Sequence, residues 1–257
     1  MMDAVGPMLV LLLQLLIVLG LLLWADRWLH RHLQGVMLLL TGDHEIALWL
    51  YAIVLLPGVF LHEMSHALTA KLVGVKIGRI NLLPKRAARR IQLGFVPIQE
   101  TDFLRASLIG GAPLFVGSIA VVVIGHLVFS TPEILTALSQ GDWRAGAIGF
   151  LDVLRAPDVW LWAYLVFAIS NTMFPSRSDL HAWPLLVLVL TVVFGLLIMA
   201  GGTAPVVDGV GQVLTLALRW VVLLGASTLL VDLPFFAGIF ALQKVIERLK
   251  GVRLEYQ

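Results

Sequence analysis

The chain has 257 residues, 60% of them hydrophobic and only 13% charged, with a formal net charge of +2 and a mean hydropathy of +0.96. Soluble globular domains carry about 25% charged residues, so this composition excludes a soluble enzyme and predicts a polytopic membrane protein. The small net charge gives no footing for nucleic acid. Cysteine is absent, which excludes disulfides and thiolate metal sites and leaves His and carboxylates to bind any zinc.

The first apolar run, about 8–24, lacks a basic preface and a small-residue cleavage site, so a retained helix is expected over 7–25. Further runs long enough to cross a bilayer lie at about 46–73, 104–129, 158–175, 183–200 and 212–232. The last continues to about 240, with a break expected near Pro234. Between the second and third runs, Val75, Ile77 and Ile80 alternate loosely with polar residues, and Ile91, Leu93 and Phe95 alternate strictly with Gln92 and Gly94. With the basic Pro84–Arg90 stretch between them, this pattern predicts a β-hairpin at the membrane face. Residues 130–157 are acidic, rich in Gly and Pro, and expected to be a long connection. The expected fold is therefore all-α and polytopic, about six transmembrane helices with a small membrane-associated β-hairpin. It forms one domain over 1–257, with no repeat and no soluble module.

Lys and Arg in the loops orient such a chain. Lys76, Arg79, Lys85, Arg86, Arg89 and Arg90 precede the third run; Arg177 follows the fourth; Lys244, Arg248, Lys250 and Arg253 lie in the tail. The opposite loops hold Arg27, Arg31, Arg144 and Arg155. Six alternating helices place the richer set, and both termini, on the cytoplasmic side of what is expected to be a bacterial or archaeal plasma membrane.

Within the second run stands His62-Glu63-Met64-Ser65-His66. HExxH sets two imidazoles one helical turn apart on one face with a carboxylate beside them, a pattern that binds catalytic zinc. Ionisable groups are costly inside a membrane, so such a cluster there defaults to function. A polar face buried in a bundle is the bland alternative, and it would strand three costly groups. In the metal reading His62 and His66 are ligands and Glu63 is the general base. Pro57-Gly58, about one turn earlier, permits a kink or merely ordinary bundle packing.

A catalytic zinc needs a third protein ligand. Asn171-Thr172-Met173-Phe174-Pro175-Ser176-Arg177-Ser178-Asp179-Leu180 resembles the Asn-x-x-Pro-x-Pro-x-Leu-Asp-Gly motif that the site-2 protease family of intramembrane zinc metalloproteases pairs with HExxH. Asn171 and Asp179 keep the family's spacing, while Phe174, Ser176 and Leu180 replace its two prolines and glycine. Gly111-Ala112-Pro113-Leu114 is similar to the family's Gly-Pro-rich entry to its middle core helix, so the resemblance covers about 46–182. The helices over 7–25, 183–200 and 212–240 flank that core. The resemblance implies Zn2+ held by His62, His66 and Asp179, and Asn171 hydrogen-bonded to substrate or to the reacting carbonyl. It also implies an edge strand that holds an unwound transmembrane segment of a membrane-protein substrate.

Alternatives stay open at the third ligand. Pro205-Val206-Val207-Asp208-Gly209 keeps an Asp-Gly pair but is expected in an outer loop, without an Asn eight residues earlier; His181 is a second alternative. Asp232 is expected to pair with the basic inner surface, or else to gate access. Besides an intramembrane endopeptidase acting near the cytoplasmic face, the sequence admits a non-proteolytic subunit of a membrane complex and a zinc transporter. Concentration of the ionisable groups at one depth argues against transport.

Overall fold

The computed structural model describes residues 2–87, 90–176, 178–199 and 204–254. Among these residues eight helices follow one another: α1 (Met2–Thr41), α2 (His44–Leu72), α3 (Phe103–Leu127), α4 (Thr131–Ser139), α5 (Trp143–Arg155), α6 (Val159–Ser170), α7 (Trp183–Met199) and α8 (Ala204–Lys250). Strands β1 (Lys85–Ala87) and β2 (Arg90–Gln92) lie between α2 and α3. Among the described residues, α1, α2, α3 and α8 are long and apolar enough to cross a membrane. The pair α5 and α6, bent by 98°, makes a fifth if counted as one span. The chain is thus an all-α protein of membrane type.

Local chemistry sets the boundaries. Gly42 takes φ +69 and its N–H donates to Leu38 O at 2.8 Å, the left-handed stop that glycine makes without strain. Asp43 then caps α2, its Oδ1 accepting from the N–H groups of Glu45 at 2.7 Å and Ile46 at 3.0 Å. This turn leaves no loop over 25–45. The first helix continues to Thr41 because 25–40 holds no proline and a single glycine, Gly35, which the helix carries, and the expected end near 25 is corrected. Asp102 caps α3 in the same way, accepting from Leu104 and Arg105 N–H at 3.1 Å each. The Arg105 bond foremost, with partial opposition from burial, holds the Asp102 carboxyl below its ordinary range.

The core is a bundle of α2, α3 and α6. Glycines permit the approach. A Cβ on Gly58 would stand 2.0 Å from Ala168 O, and one on Gly117 would stand 2.7 Å from Met173 Cβ. Val121 and Ile124 of α3 share a buried cluster with Val159, Ala163 and Val166 of α6. Leu29 and Leu33 of α1, Leu55 and Val59 of α2 and Phe167 of α6 form a second cluster. Phe167 stacks on Phe235 of α8 at 4.2 Å.

Contacts between α1 and α8 run in one order along both helices. Gly225 lies against Val18 and Leu22, and Phe236 meets the Trp28 ring at 5.2 Å. Further on, Val36 and Leu39 share a buried cluster with Ile246, and Lys250 Nζ donates to the carbonyls of Leu39 and Leu40. The two helices are parallel. Six alternating crossings would make them antiparallel, which these two helices are not. The directions instead suit an odd count, with α1, α3 and α8 running one way and α2 and α6 the other. Lys244, Arg248, Lys250 and Arg253 consequently share a face with the α1–α2 turn and α5. Lys and Arg then divide almost evenly between the faces, and charge selects neither as cytoplasmic.

Three further expectations change. Residues 130–157, expected as a long connection, fold into α4 and α5. The fourth run is helical only over α6, whose 12 residues reach about 18 Å, short of a hydrocarbon core of about 30 Å. Pro234 lies inside α8, which continues to Lys250.

The segment after α2 folds back as an antiparallel ladder. β1 and β2 pair with Lys85 opposite Gln92 and Ala87 opposite Arg90; residues 88–89 lie outside the described set. Isolated bridges join Asn81 to Phe95 and Ile77 to Ile98. Residues 75–80 make that bridge without becoming a strand.

Since the chain has no native cysteine, single cysteines report sidedness without background. Cysteines replacing His44 and Val252 should react with an impermeant thiol reagent from one face of the membrane, and a cysteine replacing Arg79 from the other. Labelling of positions 44 and 252 from opposite faces would overturn the parallel packing of α1 and α8.

Candidate metal centre

The α-helical repeat of α2 places His62 and His66 on one face. Each imidazole is held from behind by a backbone carbonyl of another element. His62 Nδ1 lies 2.7 Å from Thr172 O, just past α6, and His66 Nδ1 lies 2.8 Å from Ile109 O in α3. A carbonyl only accepts, so both rings carry the proton on Nδ1 and present the Nε2 lone pair forward. The two Nε2 atoms are 3.1 Å apart.

Asp179 closes the group. Its Oδ1 lies 3.5 Å from His66 Nε2 and its Oδ2 lies 3.9 Å from His62 Nε2. The turn containing Asp179 is fixed locally, with Ser176 N–H donating to Asp179 Oδ2 at 2.7 Å and Asp179 N–H to Ser176 Oγ at 3.3 Å. It is also seated on α3, where a Cβ on Gly110 would stand 2.0 Å from Asp179 O. The three ligand atoms all lie within 4.8 Å of one another. Two nitrogens and one carboxylate form a donor set suited to catalytic zinc. The Nδ1 bonds to the Thr172 and Ile109 carbonyls fix both rings with Nε2 forward, as metal-binding imidazoles require, so the residues fit the ion.

Glu63 is buried and points toward the β segment. A Cβ on Gly94 would lie 2.7 Å from Glu63 Oε1, so the glycine leaves the carboxylate its room. The adjacent Phe95 is exposed.

Asn171 is buried at the C-cap of α6. Its Nδ2 donates to Phe167 O at 2.9 Å and to Asp232 Oδ1 at 3.0 Å. Asp232, from α8, is almost fully buried, and its partner is this amide rather than the basic surface residue expected for it. His181 is exposed, and the metal-capable group contains Asp179 in its place. Asp208 lies within α8 and not in a loop; its side chain lies outside the described residues.

Sequence reasoning named the side chains and missed what aims them. Thr172 and Ile109 act through backbone carbonyls, which no residue type announces. Gly94 and Gly110 act by lacking a Cβ, and only a contact map shows what they make room for. No family model, curated protein or solved structure matches this chain.

Gly110→Ala should push the Asp179 turn off α3, cost about 1–3 kcal/mol of stability and weaken metal binding. Gly238→Ala, with nothing within 4 Å of its Cβ position, should be neutral or gain up to about 1 kcal/mol. Thermal unfolding of the detergent-solubilised variants checks both; equal midpoints for the two would show that the Gly110 contact carries no weight.

Proposed function

We propose that this chain is an intramembrane zinc metalloendopeptidase that hydrolyses peptide bonds in or near transmembrane segments of membrane-protein substrates. The observation that carries the reading is the convergence of His62 Nε2, His66 Nε2 and an Asp179 carboxylate oxygen, with both imidazoles oriented by carbonyls. The partial site-2 protease motif that supplied Asp179 from sequence supports it independently.

Zn2+ held by these three residues supplies Lewis acidity, which polarises a carbonyl and makes water acidic enough to deprotonate near neutral pH. The chain's own residues do the rest. Glu63, next to His62 on α2, accepts the water proton at its carboxylate and returns it to the leaving amine. The bundle of α2, α3 and α6 excludes bulk water, and the carbonyls of Thr172 and Ile109 keep the imidazoles from turning. A substrate helix hides its peptide bonds in internal hydrogen bonds. A segment laid in extended form along residues 91–95, with Gly94 against Glu63, would have its carbonyls within reach of that carboxylate.

The topology that accompanies this reading has five crossings, with the 76–99 segment and the Asp179 turn on one face. One observation favours a second reading, a zinc-binding subunit without turnover. Both Nδ2 protons of Asn171 have protein acceptors, so the amide is not free to stabilise an oxyanion.

Glu63→Gln should retain zinc and lower cleavage by a factor on the order of 10²–10⁴. The assay is turnover of a membrane substrate found by comparing the membrane proteomes of wild-type and variant cells. Unchanged turnover in the variant would sink the protease reading. A wild type that binds zinc through His66 but accumulates the same membrane proteins as Glu63→Gln would establish the second.

A further inference from the structure

Asp232 lies far in sequence from HExxH and the Asp179 turn, on a helix outside the region resembling the site-2 proteases. It is 1% exposed and Asn171 is 6% exposed. A carboxylate at that depth in a spanning helix is costly and persists where it has work to do. Its partners are Asn171, at 3.0 Å, and the side chain of Ser170, both at the end of α6. The work can be read from what Asn171 holds.

Asn171 ends α6. Its N–H and its Nδ2 both donate to Phe167 O, at 3.2 and 2.9 Å. The neighbouring Thr172 hydroxyl donates to Ala168 O at 2.8 Å. Carbonyls left over at the helix end are thus satisfied by the two residues that follow it. The Thr172 hydroxyl also sits where a Cβ on Gly58 would be, 2.2 Å away, so α2 and the end of α6 are in direct register. Thr172 O then receives His62 Nδ1–H at 2.7 Å. A continuous path runs from Asp232 through Asn171 and the α6 end to the ring that offers Nε2 to the metal.

We infer that Asp232 is a positioning residue for the metal centre. By holding the Asn171 amide it fixes the end of α6 and the Thr172 carbonyl that orients His62. The inference rests on the metal-binding reading of His62, His66 and Asp179. It makes α8 part of the site, and it gives Asn171 a structural task in place of contact with the reacting carbonyl. The bond needs an acceptor oxygen on residue 232; it does not need a charge.

The test uses the full chain in detergent, with the zinc dissociation constant measured by chelator competition and the d–d spectrum of the Co2+-substituted protein. Asp232→Leu should weaken zinc binding by about ten- to a hundredfold, the range for loss of outer-shell support, and alter the cobalt spectrum. Asp232→Asn, whose amide oxygen accepts the same bond, should stay close to wild type. Asn171→Ala leaves α8 intact and should shift affinity and spectrum in the same direction, which carries the test if the leucine variant does not fold. The double variant Asn171→Ala/Asp232→Leu should bind zinc no more weakly than the tighter-affected single one, because both act through one bond.

Wild-type affinity and spectrum in Asp232→Leu or Asn171→Ala would overturn the inference, as would equal weakening by Asp232→Asn and Asp232→Leu. A wild type that binds no zinc overturns the metal reading and this inference together. A wild type that binds zinc beside an unaffected Asp232→Leu overturns this inference alone.

Discussion

Two hydrogen bonds organise this molecule: the Nδ1–H groups of His62 and His66 donated to the carbonyls of Thr172 and Ile109. Each ties one imidazole of α2 to a different neighbouring element. To make both, the bundle must bring the end of α6 and the first turns of α3 to the same stretch of α2 within a few tenths of an ångström. The glycines at 58, 110 and 117 are explained by that demand, because at each a Cβ would meet an atom of the opposing chain closer than 3.0 Å. In lipid the attraction between helices comes from close packing, not from escape from water, and small residues are what permit it. The aim of the two imidazoles and the packing of the helices are therefore one constraint.

The same bonds settle how polar groups survive at this depth. A backbone carbonyl inside a helix is already occupied, but carbonyls near a helix end or beside a proline have capacity to spare. Thr172 O lies just past the end of α6. Ile109 O lies four residues before Pro113, which has no N–H to donate to it. The proline of α3 thus frees an acceptor where His66 needs one. A polar cluster of this kind is tolerable only when every member has a partner. Glu63 stands apart: it is buried, and it faces the space that Gly94 leaves open.

What the sequence made legible follows from where the information resides. His62, Glu63 and His66 form a contiguous pattern at helical spacing, and their shared face was readable from the 3.6-residue repeat. Asp179 required a resemblance, because its approach to α2 depends on a turn over 176–179 and on a glycine in another helix. Helix α1 was placed but cut short: Arg27 and Arg31 read as part of a loop. In the structure, Asp26 and His30 pair at 3.0 Å and Tyr51 joins His30 at 2.7 Å, so His30 has partners within the helix pair. The direction of α8 was not legible at all. Periodicity and charge are identical for either direction, and only pairs such as Gly225 with Val18 and Leu22, or Lys250 with the end of α1, decide it.

That direction changes how the site is built. Parallel to α1, α8 passes the end of α6 with Phe235 on Phe167 and Asp232 on Asn171. An apolar stack and a polar bond three residues apart on α8 fix it to α6 in both depth and rotation, since sliding or turning α8 against α6 would break both pairs together. The α6 end in turn sets Thr172 against Gly58 and its carbonyl against His62. A helix that a motif search leaves unassigned thus determines, through one buried carboxylate, how accurately the first histidine of the motif can point.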